Sequence, residues 1–170
     1  MTTVARSIET LTERDIAKAI DHSLLRPELD DEYVEDGCRL AATYDVASVC
    51  VRPTDVKRAV AILDGTDVKV GTTIGFPHGN HATATKVLEA ERALADGASE
   101  LDMVIQIGAL KAGRDSDVQA DVAGAAAFGL RTVLVRTGKF REEVLEEATV
   151  RPDGVIDSIA GLPDWLESVE

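Results

Sequence analysis

The sequence of 170 residues has little of several residue types that define particular protein classes. Its only two cysteines, Cys38 and Cys50, are too few for the disulfide framework of a small secreted domain, which favours a reducing compartment. No apolar run approaches the roughly 20 residues that a membrane-spanning helix needs. The polar start of the chain lacks the apolar segment of a secretory signal. We therefore predict a cytoplasmic protein with no membrane partner.

Basic residues are scarce as well. The chain has 18 Lys and Arg against 31 Asp and Glu, for a net charge of -13 and a pI near 4.6. Only six of the basic residues are lysine. We expect no nucleic-acid partner, because phosphate binding needs clustered basic side chains. The composition fits two interpretations equally well, a halophilic protein from a salt-rich cytoplasm or an ordinary acidic cytosolic protein.

What the sequence does contain is an alternation of short β-branched runs with Ala- and Leu-rich helical stretches. The predicted strands are residues 21–25, 47–51, 68–74, 101–107, 132–136 and 155–159. The predicted helices are residues 11–20, 30–44, 56–63, 83–95, 118–128 and 142–148, with a last helical turn at 164–169.

This rhythm predicts a single α/β domain over residues 1–170, built from parallel βα units. The strands are almost wholly apolar, as expected when both faces of a sheet are covered. Two arrangements remain open for the six or so strands. One is an incomplete or rearranged TIM barrel, since a complete barrel typically takes about 250 residues. The other is a doubly wound open sheet.

Four segments in the first two thirds of the chain carry a resemblance to a known family. They are residues 20–27 (IDHSLLRP), 47–53 (ASVCVRP), 69–80 (KVGTTIGFPHGN) and 97–110, which contains GASELDMVI and GAL. In this order and spacing they resemble the first four strands of deoxyribose-phosphate aldolase, over about residues 16–113. The resemblance implies a (β/α)₈ barrel and a metal-free lyase reaction. In that reaction 2-deoxyribose 5-phosphate is cleaved to acetaldehyde and glyceraldehyde 3-phosphate through a Schiff base.

The resemblance also implies roles for individual residues. Asp102 matches the family's proton-relay aspartate, and a carboxylate at the carboxyl end of a barrel strand is placed to move protons. Asp21 and Cys50 match residues that line the substrate pocket. Alternatively, Asp21 is a turn acid, and Cys50 a small buried hydrophobe, which we favour for that thiol. Gln106 departs from the Asn or Pro usual there, so the pocket floor differs.

The lysine nucleophile of the family has no counterpart. A class I aldolase needs a deprotonated lysine amine to form the Schiff base. The family keeps it on the sixth strand, where this sequence has Ile156. The seventh and eighth strands, with their phosphate loop, also lack counterparts. Lys139, after the predicted fifth strand, is the best substitute, although it is more simply explained as a surface lysine. We therefore expect little or no aldolase activity.

The last third resembles a different family. Residues 117–125 (DVQADVAGA), 129–140 (GLRTVLVRTGKF) and 152–158 (PDGVIDS) resemble the end of a haloacid-dehalogenase-type phosphatase. That family's nucleophilic Asp-x-Asp-x-Thr is missing, and Ser116 stands where a metal-binding Asp would be. The sequence therefore reads as a chimera with a junction near residues 113–117, which is reasonable because βα units share one geometry.

These observations define the expected ligands and partners. We predict no cofactor and no metal, and we expect His78 and His81 to face solvent or to be hydrogen-bonded. A small sugar phosphate or aldehyde is the predicted ligand, if there is one. A homo-oligomer is possible, because an incomplete barrel leaves sheet edges that a second copy can cover. The second hypothesis is accordingly a non-catalytic half-barrel scaffold that self-associates.

Overall fold

The computed structural model describes residues 11–114, 133–136, 142–147, 151–157 and Ser168. The chain divides between Val104 and Ile105 into two compact units. We call the unit before this point the aldolase-like unit and the one after it the C-terminal unit. The predicted helix at 118–128 and Lys139 lie outside the described residues, as does the predicted turn at 164–169 except for Ser168. No helix within the described ranges is long and apolar enough to cross a membrane.

The aldolase-like unit alternates helices and strands. Its elements are α1 (Glu13–Ala17), β1 (Asp21–Leu24), α2 (Asp31–Tyr44), β2 (Ser48–Val51), α3 (Val56–Leu63), β3 (Lys69–Ile74), α4 (Thr83–Ala95) and β4 (Glu100–Met103). A short 3₁₀ turn, Pro53–Asp55, precedes α3. The predicted bounds of α3 and α4 are confirmed to the residue, and the other predicted elements of this unit lie within a few residues of the observed ones.

The four strands form one parallel sheet in the order β1-β2-β3-β4. A strand order equal to the sequence order means that every crossover moves in the same direction. With right-handed connections the helices then lie on one face, as in a barrel wall. A doubly wound sheet instead reverses direction at a switch point. The prediction of parallel, TIM-barrel-like α/β structure is confirmed, and this sheet has no reversal.

The core lies between the sheet and its helices. Side chains alternate along each strand, so Leu24, Val49, Val51 and Val70 point to the helical face and are buried there. Against them pack apolar residues of the helices, which include Val34, Cys38, Ala41, Val56, Ala59, Leu63 and Ala93. The intervening residues of each strand point to the opposite face of the sheet, which we call the inner face.

Local signals explain where the helices begin and end. Thr12 caps α1 in a reciprocal capping box with Asp15. Asp30 caps α2 by accepting a hydrogen bond from the Tyr33 backbone N–H. That helix ends at Asp45, which takes the left-handed conformation (φ 52°) that Asp tolerates better than most residues.

The C-terminal unit contains α5 (Ile107–Ala112), β5 (Val133–Val135), α6 (Glu142–Glu147) and β6 (Gly154–Ile156). Strands β5 and β6 pair in parallel, with Val135 opposite Ile156. Arg136 extends the pairing, because its N–H donates to the Ile156 carbonyl at 2.7 Å and its guanidinium lies 3.1 Å from Asp157. Six strands are thus seen in the described residues, in agreement with the predicted number.

One predicted element was wrong in part. The fourth strand, predicted over 101–107, ends at Met103, and Ile107 begins helix α5. A short apolar run such as 103–107 carries no periodicity that separates a strand from a helix. The helix that forms instead ends at Gly113, which provides a left-handed C-cap (φ 70°).

Candidate active site

Three side chains named from the sequence meet on the inner face of the sheet. Asp21 of β1, Cys50 of β2 and Asp102 of β4 each alternate with residues of the core face. Their carboxylate oxygens and thiol sulfur all lie within 4.8 Å of one another. Cys50 Sγ lies 3.6 Å from Asp102 Oδ2, and Ser48 Oγ donates to Asp21 Oδ1 at 2.9 Å. We call Asp21, Cys50 and Asp102 the inner-face triad.

The tilt of the strands makes this meeting possible. Along the hydrogen-bonded pairs Asp21 is level with Ser48 and Lys69, and so with position 98, two residues before β4 begins. Asp102 lies four residues beyond that level. Residues so far apart in register share one height only where strands are tilted and staggered, as in a barrel. The geometry of the triad is therefore a consequence of barrel-type curvature.

The electrostatics of the triad favour protonated groups. Burial, and then the negative charge of Asp21, raise the pKa of the Asp102 carboxyl above its ordinary value, while the Cys50 thiol partly offsets this. Burial, and then the charges of Asp102 and Asp21, raise the pKa of Cys50 to about 12. The pKa of Glu100 is raised mainly by burial, together with the charges of Asp21 and Asp102. The inner face thus combines a neutral thiol with carboxyls that bind protons more readily than usual.

Two carboxylates and one thiol are also ligand types for a divalent cation. Within the described ranges the triad is the one group of three such side chains that lie close enough to share an ion. Acidic groups often meet without an ion, and the aldolase resemblance implies metal-free chemistry. The arrangement is better suited to proton transfer at a polar substrate atom.

Comparisons with known proteins agree with this geometry. The chain is 50% identical over 108 residues to the deoxyribose-phosphate aldolase of Rhodopirellula baltica. This match covers 64% of the present chain and 45% of the relative. It is 45% identical over 124 residues to that of Lysinibacillus sphaericus, covering 73% and 56%. The first two thirds of the chain resemble deoxyribose-phosphate aldolase. The chain spans about half the length of the curated relatives it matches.

Solved structures support the same likeness. A deoxyribose-phosphate aldolase structure from Coccidioides immitis matches with a TM-score of 0.69 at 37% identity, over 79% of this chain and 55% of that one. The tetrameric enzyme of Aeropyrum pernix matches with a TM-score of 0.66 at 25% identity, over 86% and 65%. The HAD-hydrolase-like family model matches residues 116–162. Both predicted resemblances are therefore confirmed.

The aldolase-like unit fixes its loops on the triad's side of the sheet with charged side chains. Arg52, which follows β2, donates from Nη1 to the Leu29 carbonyl at 2.9 Å and to the Pro27 carbonyl at 3.2 Å. Its Nε lies 2.6 Å from the buried Asp55 carboxylate. The loop after β1 is thus held by an arginine of the next βα unit.

A second anchor holds the loop after β3. Glu89 of α4 accepts the Gly75 N–H at 2.8 Å, and His81 Nδ1 lies 3.5 Å from the same carboxylate. Gly75 takes a left-handed conformation (φ 68°), and its carbonyl accepts the Gly79 N–H at 2.8 Å. Gly75 and Gly79 therefore form a tight turn that is held by the Glu89 carboxylate. The two anchors were not predicted, because the sequence around them shows only a charged residue after a strand, Arg52, and another within a helix, Glu89.

The lysines that could replace the missing nucleophile lie in different parts of the fold. Lys18 contacts Asp45 and Asp67, Lys57 contacts Asp96, and Lys86 is buried. Lys69 is the first residue of β3, at the opposite end of the strand from Gly75. Lys111 lies in α5 of the C-terminal unit. Ile156, where the family lysine would be, is a half-buried residue of β6.

Proposed function

We propose that this chain carries the proton-relay side of a deoxyribose-phosphate aldolase active site and has little or no aldolase turnover of its own. The observation that supports this most directly is the inner-face triad. Three residues chosen from the family resemblance lie on three strands, and their ligand atoms lie within 4.8 Å of one another. The residues named for catalysis are Asp102 and, as the weaker candidate, Lys139. Asp21 and Cys50 are the proposed substrate-binding residues.

The chemistry proposed for the triad is general acid–base catalysis at a small aldehyde. Asp102, with its raised pKa, can hold a proton at a higher pH than an unperturbed carboxyl and pass it to a substrate atom within hydrogen-bond reach. Cys50 stays a neutral thiol and lines the proposed substrate pocket as a small, weakly polar side chain. Asp21, oriented by Ser48, supplies a fixed negative charge beside the relay.

The expected lack of turnover rests on the sequence of the sixth strand. Carbon–carbon cleavage by this route requires an amine that forms a Schiff base with the carbonyl, and a proton relay alone does not supply the electron sink. Ile156 offers no nucleophile. We infer that the triad binds and protonates without completing the cleavage.

The direct test is borohydride trapping with acetaldehyde in concentrated KCl, read by intact mass and peptide mapping. We expect no adduct from protein shown by circular dichroism to be folded. A stable adduct on Lys139 or Lys111 would show that the chain has another nucleophile. Retro-aldol turnover of 2-deoxyribose 5-phosphate that disappears in Asp102→Asn, but not in the exposed-site control Asp36→Asn, would overturn the proposal.

The second candidate function is a non-catalytic scaffold that self-associates. The observation that favours it is the sheet order, in which β1 and β4 are the outer strands of the four-stranded sheet. Parallel edges of this kind invite pairing with another chain. The tetrameric Aeropyrum pernix relative provides a precedent for assembly in a similar fold. Light scattering after size exclusion in concentrated KCl tests this function, and a clean monomer would count against it.

A further inference from the structure

Lys86 is the largest fully buried side chain of the described residues, with 1% of its surface exposed. It lies on the core-facing stripe of α4 with Ala90 and Ala93, at positions i, i+4 and i+7. A lysine is almost never buried so completely unless a partner holds its ammonium group.

The ammonium group reaches the end of β4. Lys86 Nζ donates to the Val104 carbonyl at 2.8 Å, two residues beyond Asp102. The Val104 N–H in turn donates to the Ile74 carbonyl at 2.9 Å, which joins the end of β4 to the end of β3. One side chain of α4 therefore fixes the exit of the strand that carries Asp102.

Gly75 and Lys86 fit each other closely. A Cβ on Gly75 would lie 3.0 Å from Cε of Lys86 and 3.4 Å from Cδ and Cγ. Three residues along the same helix, Glu89 accepts the Gly75 N–H. Helix α4 thus delivers a positive group to the end of β4 and a negative group to the end of β3.

We propose that Lys86 is a positioning residue, which holds the end of β4 so that Asp102 stays against Cys50 on the inner face. Its importance for catalysis rests on the proposed role of Asp102. Its structural effect does not, because the contact between Cys50 and Asp102 can be followed without turnover.

The two cysteines provide the measurement. Cys50 is covered on the inner face by Asp102, whereas Cys38 lies on the buried face of α2, on the other side of the sheet. Loosening the end of β4 should uncover Cys50 alone, whereas general destabilisation should expose both thiols. The ratio of their alkylation rates therefore separates a positioning role from a merely structural one.

The experiment compares iodoacetamide labelling of Cys50 and Cys38 by peptide mass in the unmodified chain, Lys86→Met and Lys57→Met. Methionine keeps the length of the stem and removes the ammonium, and Lys57 is an exposed lysine of α3 that serves as a matched control. We expect Lys86→Met to raise the Cys50 rate roughly tenfold, by loss of one charge-assisted hydrogen bond, and to leave Cys38 unchanged. Lys57→Met should change neither rate. Equal increases at both cysteines, or no increase at Cys50, would overturn the proposal.

A second measurement uses the unmodified chain in case Lys86→Met does not fold. The ¹⁵N spectrum of the lysine ammonium groups should contain one signal that is protected from exchange with water and coupled through a hydrogen bond to the Val104 carbonyl. Absence of that protected signal would also reject the proposal. If the labelling ratio and the protected lysine signal are as expected but the unmodified chain does not bind acetaldehyde, the positioning role of Lys86 stands and the proposed function is contradicted.

Discussion

Cys50 and Asp102 touch across an intervening strand, with Sγ and Oδ2 at 3.6 Å. They lie on β2 and β4, and β3 separates these strands. On β3 the residue paired with Cys50 is Gly71, which adds no side chain to the inner face. At the level of Cys50, β3 therefore places no side chain between the thiol and the carboxyl of the two non-adjacent strands.

Gly71→Ala should separate the pair without unfolding the protein. The new Cβ would meet Glu100 Cβ at 3.4 Å and the Val49 carbonyl at 3.6 Å, which is ordinary contact, so we expect a change in the free energy of unfolding of about 1 kcal/mol. A methyl group there excludes water and weakens the bond from Cys50. The pKa of Asp102 should therefore rise further, as measured by ¹³C NMR of the carboxyl. An unchanged or lower pKa would contradict this reading of the glycine.

Asp102→Asn should make stability less sensitive to pH. In the folded chain the pKa of Asp102 lies above its ordinary value near 3.8, so between the two values the folded state holds a proton that the unfolded state has lost. The free energy of unfolding therefore falls as pH rises through this window, and the variant lacks this loss. Relative to the parent, Asp102→Asn should gain stability from about pH 4 to pH 7, measured by urea unfolding.

Asp31→Asn is the control of opposite sign. A hydrogen bond from Arg58 lowers the pKa of Asp31, so its contribution is present above the ordinary pKa and is lost as pH falls through the lowered value. This variant should lose stability relative to the parent as pH rises. If both variants shift in the same direction, the electrostatics assigned to Asp102 are wrong.

Arg52→Met should destabilise the aldolase-like unit by about 2 kcal/mol, because it leaves the buried Asp55 carboxylate with the weaker contact to Arg58 at 3.6 Å. The loop carbonyls of Leu29 and Pro27 lose their donor as well. Chemical denaturation measures the change. Arg39→Met removes exposed pairs with Glu35 and Asp36 and should cost less than about 1 kcal/mol. Similar losses in the two variants would argue against the anchor.

Salt should stabilise the chain if its acidic composition is a halophilic adaptation. A net charge of -13 means that the folded state repels itself, and screening reduces that repulsion. We expect the midpoint of thermal unfolding to rise from about 0.1 M to about 3 M KCl, most steeply at the low end where the screening length changes most. A flat profile would favour the ordinary acidic protein.

The sequence alone determined the order of helices and strands in the aldolase-like unit and the bounds of α3 and α4, and the family resemblance named the three residues of the triad. These follow from local periodicity, capping chemistry and motif order, which each segment carries within itself. The distances within the triad and the burial of Lys86 were decided only by the tertiary structure. Both depend on distant parts of the chain, through the tilt of the strands and the carbonyl of Val104. A lysine in a helix gives no local sign of whether it meets water or a strand end, because that depends on what the helix packs against.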